Sequence, residues 1–245
     1  MLTLLTVCTY NIHAGRDALN RPSLPQITAT LAQSEADLCL LQEVDKNLPR
    51  SGFADQAAVL GRALGARACF YGRLRFGTAA FGNATLSRLS IGRVQKVALP
   101  GGGEVRGALG VHLEREDIWV WNTHLGLREE WRAEQLSALE KALDDQPVVL
   151  VGGDFNAPLE EEAVGAFLRN TGLQILSADA PTFPAAAPAH RIDFLLGRGL
   201  FTSNAAAGVE ARTTADPGSD HCLVWARVTT QPPLLPAPPA PRCAE

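Results

Sequence analysis

The feature that most constrains this chain is an apolar run followed by two glycines and two polar residues, Val148-Val149-Leu150-Val151-Gly152-Gly153-Asp154-Phe155-Asn156. The apolar residues predict a strand buried on both faces, and the glycines allow a sharp turn and close approach of a ligand. Asp154 and Asn156 lie two positions apart, so an extended backbone would project both from one face at a ligand-binding sheet edge. The alternative is a capped turn in which both side chains bond their own backbone.

The same pattern recurs elsewhere, because other strand-like runs also end in a carboxylate, an amide or an imidazole. The polar side chains at these strand ends are Asn11, Glu43, Asn122, His124, Asp154, Asn156, Asp193, Asp220 and His221. Each of them alone has a structural explanation, such as an end cap, a core histidine or an ion pair. Together they offer oxygen and imidazole ligands without thiolates, which suits Mg²⁺ or Mn²⁺ better than zinc. Converging carboxylates would repel one another unless a cation, a proton or an imidazolium offset their charge, and a metal site is the simplest explanation.

The order of the remaining elements predicts an α/β protein with mixed sheets. Apolar periodicity indicates helices over 23–36, where Ser23 and Gln26 fit a capping box, and over 55–64, 128–143 and 159–169. Strands are predicted near the N-terminus and over 37–43, 117–124, 148–152, 191–196 and 222–228. Residues 69–113 are β-rich, with a hairpin turn at 100–103. So many strands need two packed sheets with helices outside them.

Length and composition set further limits on the function. The 245 residues predict one domain over 1–230 and a tail over 231–245, where six prolines favour disorder. The absence of a long apolar run excludes a membrane-embedded protein, and without a positively charged leader we expect a cytoplasmic monomer. Five scattered cysteines without a CxxC pair argue against disulfides and a zinc-thiolate site. The net charge is −4, and the arginines form no basic run that would indicate tight nonspecific binding to duplex DNA.

The motifs resemble, in order, those of the endonuclease/exonuclease/phosphatase family. The six matching segments span residues 9 to 221: Thr9-Tyr10-Asn11-Ile12, Leu41-Gln42-Glu43-Val44-Asp45, Asn122-Thr123-His124-Leu125, Gly153-Asp154-Phe155-Asn156, Arg191-Ile192-Asp193-Phe194 and Ser219-Asp220-His221. The resemblance implies a four-layer α/β sandwich, with two mixed sheets face to face and helices outside. It also implies metal-dependent hydrolysis of a phosphate ester.

The resemblance also implies a role for each motif residue. Asn11, Glu43 and Asp220 would bind Mg²⁺ or Mn²⁺, with Glu43 as the main ligand. Asp154 would orient or deprotonate the attacking water, and Asn156 would hold a phosphate oxygen. His221, held by Asp193, would contact the scissile phosphate, and His124 would stabilise or protonate the leaving oxygen. The sequence leaves open whether Asp154 or His221 is the general base, and we favour Asp154. His13, Arg50 and Arg106 are further candidates for contact with the substrate.

Three functions follow from these observations. The first is a phosphodiesterase that cleaves DNA or RNA, which makes a nucleic acid the expected partner. The second is a hydrolase of a lipid headgroup or small phosphoester, which the acidic charge balance favours slightly. The third is a binding module without catalysis, which is the weakest because every expected catalytic position is retained. Cleavage polarity and the number of metal ions stay open.

Overall fold

The computed structural model describes residues 3–210 and 218–230 as two six-stranded sheets packed face to face with four helices on the outside. This arrangement confirms the predicted four-layer α/β sandwich. The first sheet has the strand order β11-β12-β1-β2-β4-β3 and the second has the order β5-β6-β7-β8-β10-β9. The strands are β1 Thr3–Asn11, β2 Leu38–Lys46, β3 Arg67–Phe76, β4 Ala79–Ser87, β5 Ile91–Leu99, β6 Arg106–Leu113, β7 Ile118–His124, β8 Val149–Asp154, β9 Gln174–Ile175, β10 Asp193–Arg198, β11 Phe201–Glu210 and β12 Leu223–Thr230. The helices are α1 Leu24–Gln33, α2 Gln56–Leu64, α3 Glu129–Leu143 and α4 Glu162–Thr171.

Each sheet contains one parallel pair at its centre, and this pairing places polar strand ends at one edge. Strands β1 and β2 are parallel and joined through α1, and β7 and β8 are parallel and joined through α3. The other neighbouring strands are antiparallel. The carboxyl ends of a parallel pair lie together, which is where α/β proteins bind ligands.

Three apolar clusters account for the four layers. One lies between the sheets and includes Leu40 and Leu150, both almost fully buried. A second packs α3 and α4 on the outer face of the second sheet around Trp121, and a third packs α1 and α2 on the first sheet around Leu60. Burying both faces of each sheet explains why the central strands are continuous apolar runs in the sequence.

The boundaries differ from the predictions at a few places. The fourth helix was expected from residue 159 and begins at Glu162, and β9 and β11 were not predicted. The capping box at Ser23 is wrong, because its hydroxyl does not cap α1 and donates to the carbonyl oxygen of Gly218 at 2.6 Å. The hairpin turn after β5 agrees with expectation. Cys8, Cys39, Cys69 and Cys222 form no disulfide among the described residues. The proposed tail, 231–245, and the fifth cysteine lie outside the described residues.

Candidate active site

The register of the second sheet places three of the predicted side chains in one row. His124 is the last residue of β7 and pairs in register with Asp154, the last residue of β8. Asp154 in turn lies opposite Asp193, the first residue of β10. All three are buried. Side chains that are far apart in the sequence are therefore cross-strand neighbours.

The first sheet contributes Glu43 through an irregularity in β2. The pairing of β2 with β4 shifts register between Leu41 and Val44, and Glu43 there adopts a left-handed backbone with φ of 56°. This conformation is strained for a residue other than glycine, and such strain is concentrated at functional sites. Gln42, the preceding residue, is fully buried and its amide donates to Asn122 Oδ1 at 2.8 Å. The two sheets are thus joined by a polar contact directly beneath the site.

Asp154 is the centre of the polar cluster. Its Oδ2 accepts a hydrogen bond from Asn11 Nδ2 at 3.0 Å and lies 3.4 Å from His124 Nε2 and 3.7 Å from His221 Nε2. Its Oδ1 accepts the backbone N–H of Asn156 at 2.8 Å. Burial, and then the negative charge of Asp193, raise the pKa of Asp154 to about 7. The carboxylate is therefore held by side chains from both sheets.

His221 and Asp193 form a buried pair. His221 Nδ1 lies 3.0 Å from Asp193 Oδ2, and the hydroxyl of Thr182 donates to the same oxygen at 2.6 Å. The ring of Phe183 packs 4.8 Å from the imidazole. Burial disfavours the charged ring, but the nearby carboxylates, Asp193 first, outweigh it and raise the pKa of His221 to about 10. The pair is thus an imidazolium held against a carboxylate, with its other nitrogen directed towards Asp154.

His124, in contrast to His221, is a neutral imidazole. Arg106 Nη1 donates to His124 Nδ1 at 3.1 Å, so the ring proton lies on Nε2, which faces Asp154. Burial lowers the pKa of His124 well below its usual value, and the positive charges of Arg106 and His221 lower it further. Arg106 also forms a close ion pair with Glu104. A neutral imidazole and an imidazolium therefore lie on two sides of one carboxylate.

The opposite side of the site is organised around Asn11, the last residue of β1. Its amide donates to Glu43 Oε1 at 3.1 Å as well as to Asp154, and its Oδ1 accepts the backbone N–H of His13 at 3.0 Å. The Ser219 hydroxyl donates to the Asn11 carbonyl oxygen at 2.7 Å and lies 3.3 Å from Asp220 Oδ1. Asn11 thus brings Glu43 and Asp220, the two expected metal-binding carboxylates, to one end of β1.

Two predicted substrate contacts have structural partners. Arg50 binds Asp45 through two hydrogen bonds, at 2.9 and 2.8 Å, and stacks on Phe81. Arg106 contacts Glu104 and His124. His13 Nδ1 lies 3.8 Å from Asp220 and is buried without a hydrogen-bond partner among the residues that the structure describes. This nitrogen therefore lies beside the expected metal ligands without a hydrogen bond to any described residue.

The backbone at Asn156 differs from the extended geometry expected of its motif. Its φ is 50°, so the segment is a tight turn and not an extended strand with two side chains on one face. The side-chain amide donates to the carbonyl oxygen of Leu125 at 2.9 Å. The turn is capped by Asp154, so the capped turn that served as the structural alternative is present within the site. The role of Asn156 in binding phosphate stays a prediction.

Two sets of residues offer ligand atoms for a cation. Asp154, Asp193 and His221 bring three ligand atoms within 4.8 Å of one another. In this set His221 is protonated and already bound to Asp193, so its positive charge opposes a second cation. The other set consists of Asn11, Glu43 and Asp220, which offer only oxygen atoms. Glu43 forms no ion pair with any residue in the described ranges, and His13 Nδ1 beside Asp220 has no hydrogen-bond partner there. The chemistry of this oxygen set fits Mg²⁺ or Mn²⁺.

Three residues that shape the site were not predicted from the sequence: Gln42, Glu104 and Thr182. Gln42 lies within the second motif, and its position beside the apolar run of β2 is the only local signal of its burial. Glu104 follows three glycines and carries no local signal. Thr182 and Phe183 lie in an irregular loop, and only the folding of that loop against β10 and His221 places them at the site.

Comparison with known proteins identifies relatives by sequence and by fold. Residues 8–221 match the Endonuclease/Exonuclease/phosphatase family. The uncharacterized protein YbhP of Escherichia coli K12 is 30% identical over 213 residues, covering 76% of this chain and 82% of that protein. The fold is similar to an endonuclease/exonuclease/phosphatase from Beutenbergia cavernae, with a TM-score of 0.79 and 22% identity over 93% of this chain and 72% of the other. It is also similar to mannosyl-6-phosphatase Bt3783 of Bacteroides thetaiotaomicron, with a TM-score of 0.73 and 17% identity over 91% and 99% of the two chains.

The chain belongs to the endonuclease/exonuclease/phosphatase family, whose members hydrolyse phosphoester bonds. This confirms the resemblance drawn from the motif order. The described residues include a buried cluster of acidic and imidazole side chains, Asp154, Asp193 and His221. Among the helices of residues 3–210 and 218–230, none has the length and hydrophobicity needed to cross a membrane.

Proposed function

We propose that this protein is a divalent-metal-dependent phosphodiesterase, with a nucleic acid as its first candidate substrate. The observation that carries the proposal is the position of Asp154, a buried carboxylate hydrogen-bonded by Asn11 and flanked by a neutral and a charged imidazole. Hydrolysis of a phosphodiester needs a group that orients water, a donor near the leaving oxygen and positive charge near the phosphate. Asp154, His124 and His221 supply groups of these three types within one cluster.

The role proposed for each residue follows from its contacts. Asp154 orients the attacking water and accepts its proton, because its position is fixed by Asn11 and by the Asn156 backbone. His221, kept protonated and oriented by Asp193, donates to a phosphate oxygen. His124 presents its Nε2–H, and Arg106 fixes this tautomer from the other nitrogen. Asn156 holds a second phosphate oxygen with the amide hydrogen that Leu125 does not accept.

Asn11, Glu43 and Asp220 would hold Mg²⁺ or Mn²⁺. A divalent ion at these oxygens would stabilise the charge that develops on the phosphate in the transition state. The chain's own contribution is to keep the donor set in place: Asn11 connects Glu43 to the Asp154 side, and Ser219 connects Asn11 to Asp220.

A small phosphoester is the second candidate substrate. The net charge of −4 does not favour a polyanion, and a mannosyl-6-phosphatase is among the proteins of similar fold, which supports including a sugar phosphate in the test. At 17% identity that likeness concerns the fold alone, so the phosphodiester remains the first proposal.

The test is a substrate panel with Mg²⁺, with Mn²⁺ and with EDTA. It contains single- and double-stranded DNA, RNA, bis(p-nitrophenyl) phosphate, p-nitrophenyl phosphate and a hexose 6-phosphate. We expect turnover of diesters that requires the metal and is lost on adding EDTA. Activity that survives EDTA would contradict the metal requirement. Turnover of monoesters alone would replace the first candidate by the second.

A further inference from the structure

One segment of this chain carries a net positive charge because it contains no acidic residue. Residues 56–103 contain no aspartate or glutamate, although the chain has 26 acidic residues in total. The same segment contains seven basic residues: Arg62, Arg67, Arg73, Arg75, Arg88, Arg93 and Lys96. They are separated by other residues and lie on different elements, so the sequence shows no basic run. Any basic cluster in this segment therefore has to be assembled by the fold.

Two edge strands bring part of this charge together. Strand β3 is the edge of the first sheet and β5 is the edge of the second. The ring of Tyr71 on β3 contacts two cations, Arg73 of its own strand and Lys96 of β5, each 5.7 Å from the ring centroid. Arg67 continues the row on β3 and is exposed. We refer to Arg67, Tyr71, Arg73 and Lys96 as the basic seam.

The arginines of the seam are fixed by the backbone and not neutralised by carboxylates. Arg67 donates to the carbonyl oxygen of Ile91 at 3.2 Å, and Arg73 Nε donates to that of Arg106 at 3.1 Å. A Cβ at Gly107 would lie only 2.8 Å from the side chains of Arg73 and Tyr71, so glycine there allows them to lie across β6. Within the described residues, no seam cation forms an ion pair. The remaining guanidinium and ammonium hydrogens are therefore free to bind an anion.

The seam leads into the cleft of the proposed active site. Arg73 lines this cleft together with Glu43, Arg106 and His124. Acidic side chains border the row at its ends: Glu104 is bonded to Arg106 at the cleft, and Glu114 lies near Arg67 at the far end. The cations between these ends form a single row that continues from the reactive groups along the joint between the two sheets.

We infer that the basic seam binds the backbone of a single-stranded nucleic acid whose reacting phosphodiester lies in the cleft. This inference rests on the proposed phosphodiesterase function. A single strand presents one row of phosphates, which matches one row of fixed cations, and neutralising phosphates supplies most of the affinity in such complexes. The seam would therefore discriminate between long and short substrates, because a small diester reaches only the cleft.

The experiment compares Lys96→Glu and Lys96→Gln with Lys141→Glu, a matched charge reversal of an exposed lysine on α3. Fluorescence anisotropy in EDTA measures the Kd for a labelled single-stranded oligonucleotide as salt is varied. We expect Lys96→Gln to weaken binding about fivefold at low salt and Lys96→Glu to weaken it further. The slope of log K against log salt should become shallower by about 0.7 for each phosphate that the variant no longer neutralises. Lys141→Glu should leave Kd close to the wild-type value.

Turnover of bis(p-nitrophenyl) phosphate provides the second measurement. It should be the same in wild type and in all three variants, which also shows that the variants are folded. Equal Kd values for Lys96→Glu and Lys141→Glu would overturn the inference. Loss of binding to anionic phosphatidylserine vesicles in Lys96→Glu, with oligonucleotide binding unchanged, would also overturn it and assign the seam to a membrane. If the wild type turns over no diester, the proposed function fails, while the anisotropy result still tests the seam separately.

Discussion

The two sides of the cleft differ in how the negative charges of their carboxylates are compensated. On the side of the second sheet, Asp154, Asp193 and His124 are buried together with His221, and each carboxylate has an imidazole or a hydroxyl as a direct partner. On the side of the first sheet, Glu43 and Asp220 are partly exposed, and Glu43 has an amide but, among the described residues, no cation paired with it. Asn11 donates to both sides.

This difference separates two functions within one site. The buried side supplies its own positive charge, so its geometry is complete without a ligand. The partly exposed side has two carboxylates and a strained Glu43 backbone, and Glu43 forms no ion pair with any described residue. We therefore expect the first side to determine the rate of the chemical step and the second side to determine the dependence on metal.

The largest effect should come from the centre of the buried side. Replacing Asp154 by Asn keeps the shape but removes the proposed base, so we expect kcat to fall about 10³- to 10⁴-fold. The melting temperature should be unchanged or higher, because the buried carboxylate no longer has to lose its hydration. Asp144→Asn, an exposed change beside α3, is the matched control. A kcat close to wild type for Asp154→Asn would exclude Asp154 as the base.

The next largest loss of activity should come from a change at Glu43, on the partly exposed side of the cleft. Glu43→Gln should lower kcat/KM about 10²- to 10³-fold, because a charged metal ligand becomes neutral. Ligand binding stabilises the folded state, so Mn²⁺ should raise the melting temperature of the wild type. In Glu43→Gln this rise should be much smaller, whereas Glu134→Gln on α3 should keep it. If Mn²⁺ raised the melting temperature of Glu43→Gln as much as that of the wild type, the metal would be bound by residues other than Glu43.

The smallest effect on activity should come from Gln42, which lies beneath both sides of the cleft. Gln42→Leu removes the amide that donates to Asn122 and leaves a buried acceptor unpaired, which costs about 1–3 kcal/mol of unfolding free energy. Chemical denaturation should detect this loss, while kcat should change little because no reacting group is altered. Gln174→Leu on the exposed strand β9 is the control. A loss of activity greater than that for Glu43→Gln would show that the contact between the sheets also positions the reactive groups.

The sequence was sufficient to predict the layers of the fold because strand and helix patterns are local features of the chain. The apolar run before Gly152 predicted the buried strand β8, and alternation of strands with amphipathic helices predicted two sheets covered by helices. Strand β11 was missed because its residues include several alanines and no alternating pattern. The capping box was wrong because the Ser23 hydroxyl instead binds Gly218, a residue 195 positions away.

The sequence by itself determined which polar side chains terminate the strands and, through their order, the family to which the chain belongs. Only the tertiary structure decided how they act together. The hydrogen bond between Asn11 and Asp154 joins residues 143 positions apart, and the charge states of His124 and His221 depend on Arg106 and Asp193. The basic seam likewise exists only where β3 and β5 meet. Strand periodicity reports the burial of one residue at a time, whereas charge state and ligand geometry depend on distances that sheet register, the packing of the two sheets and the folding of loops establish together.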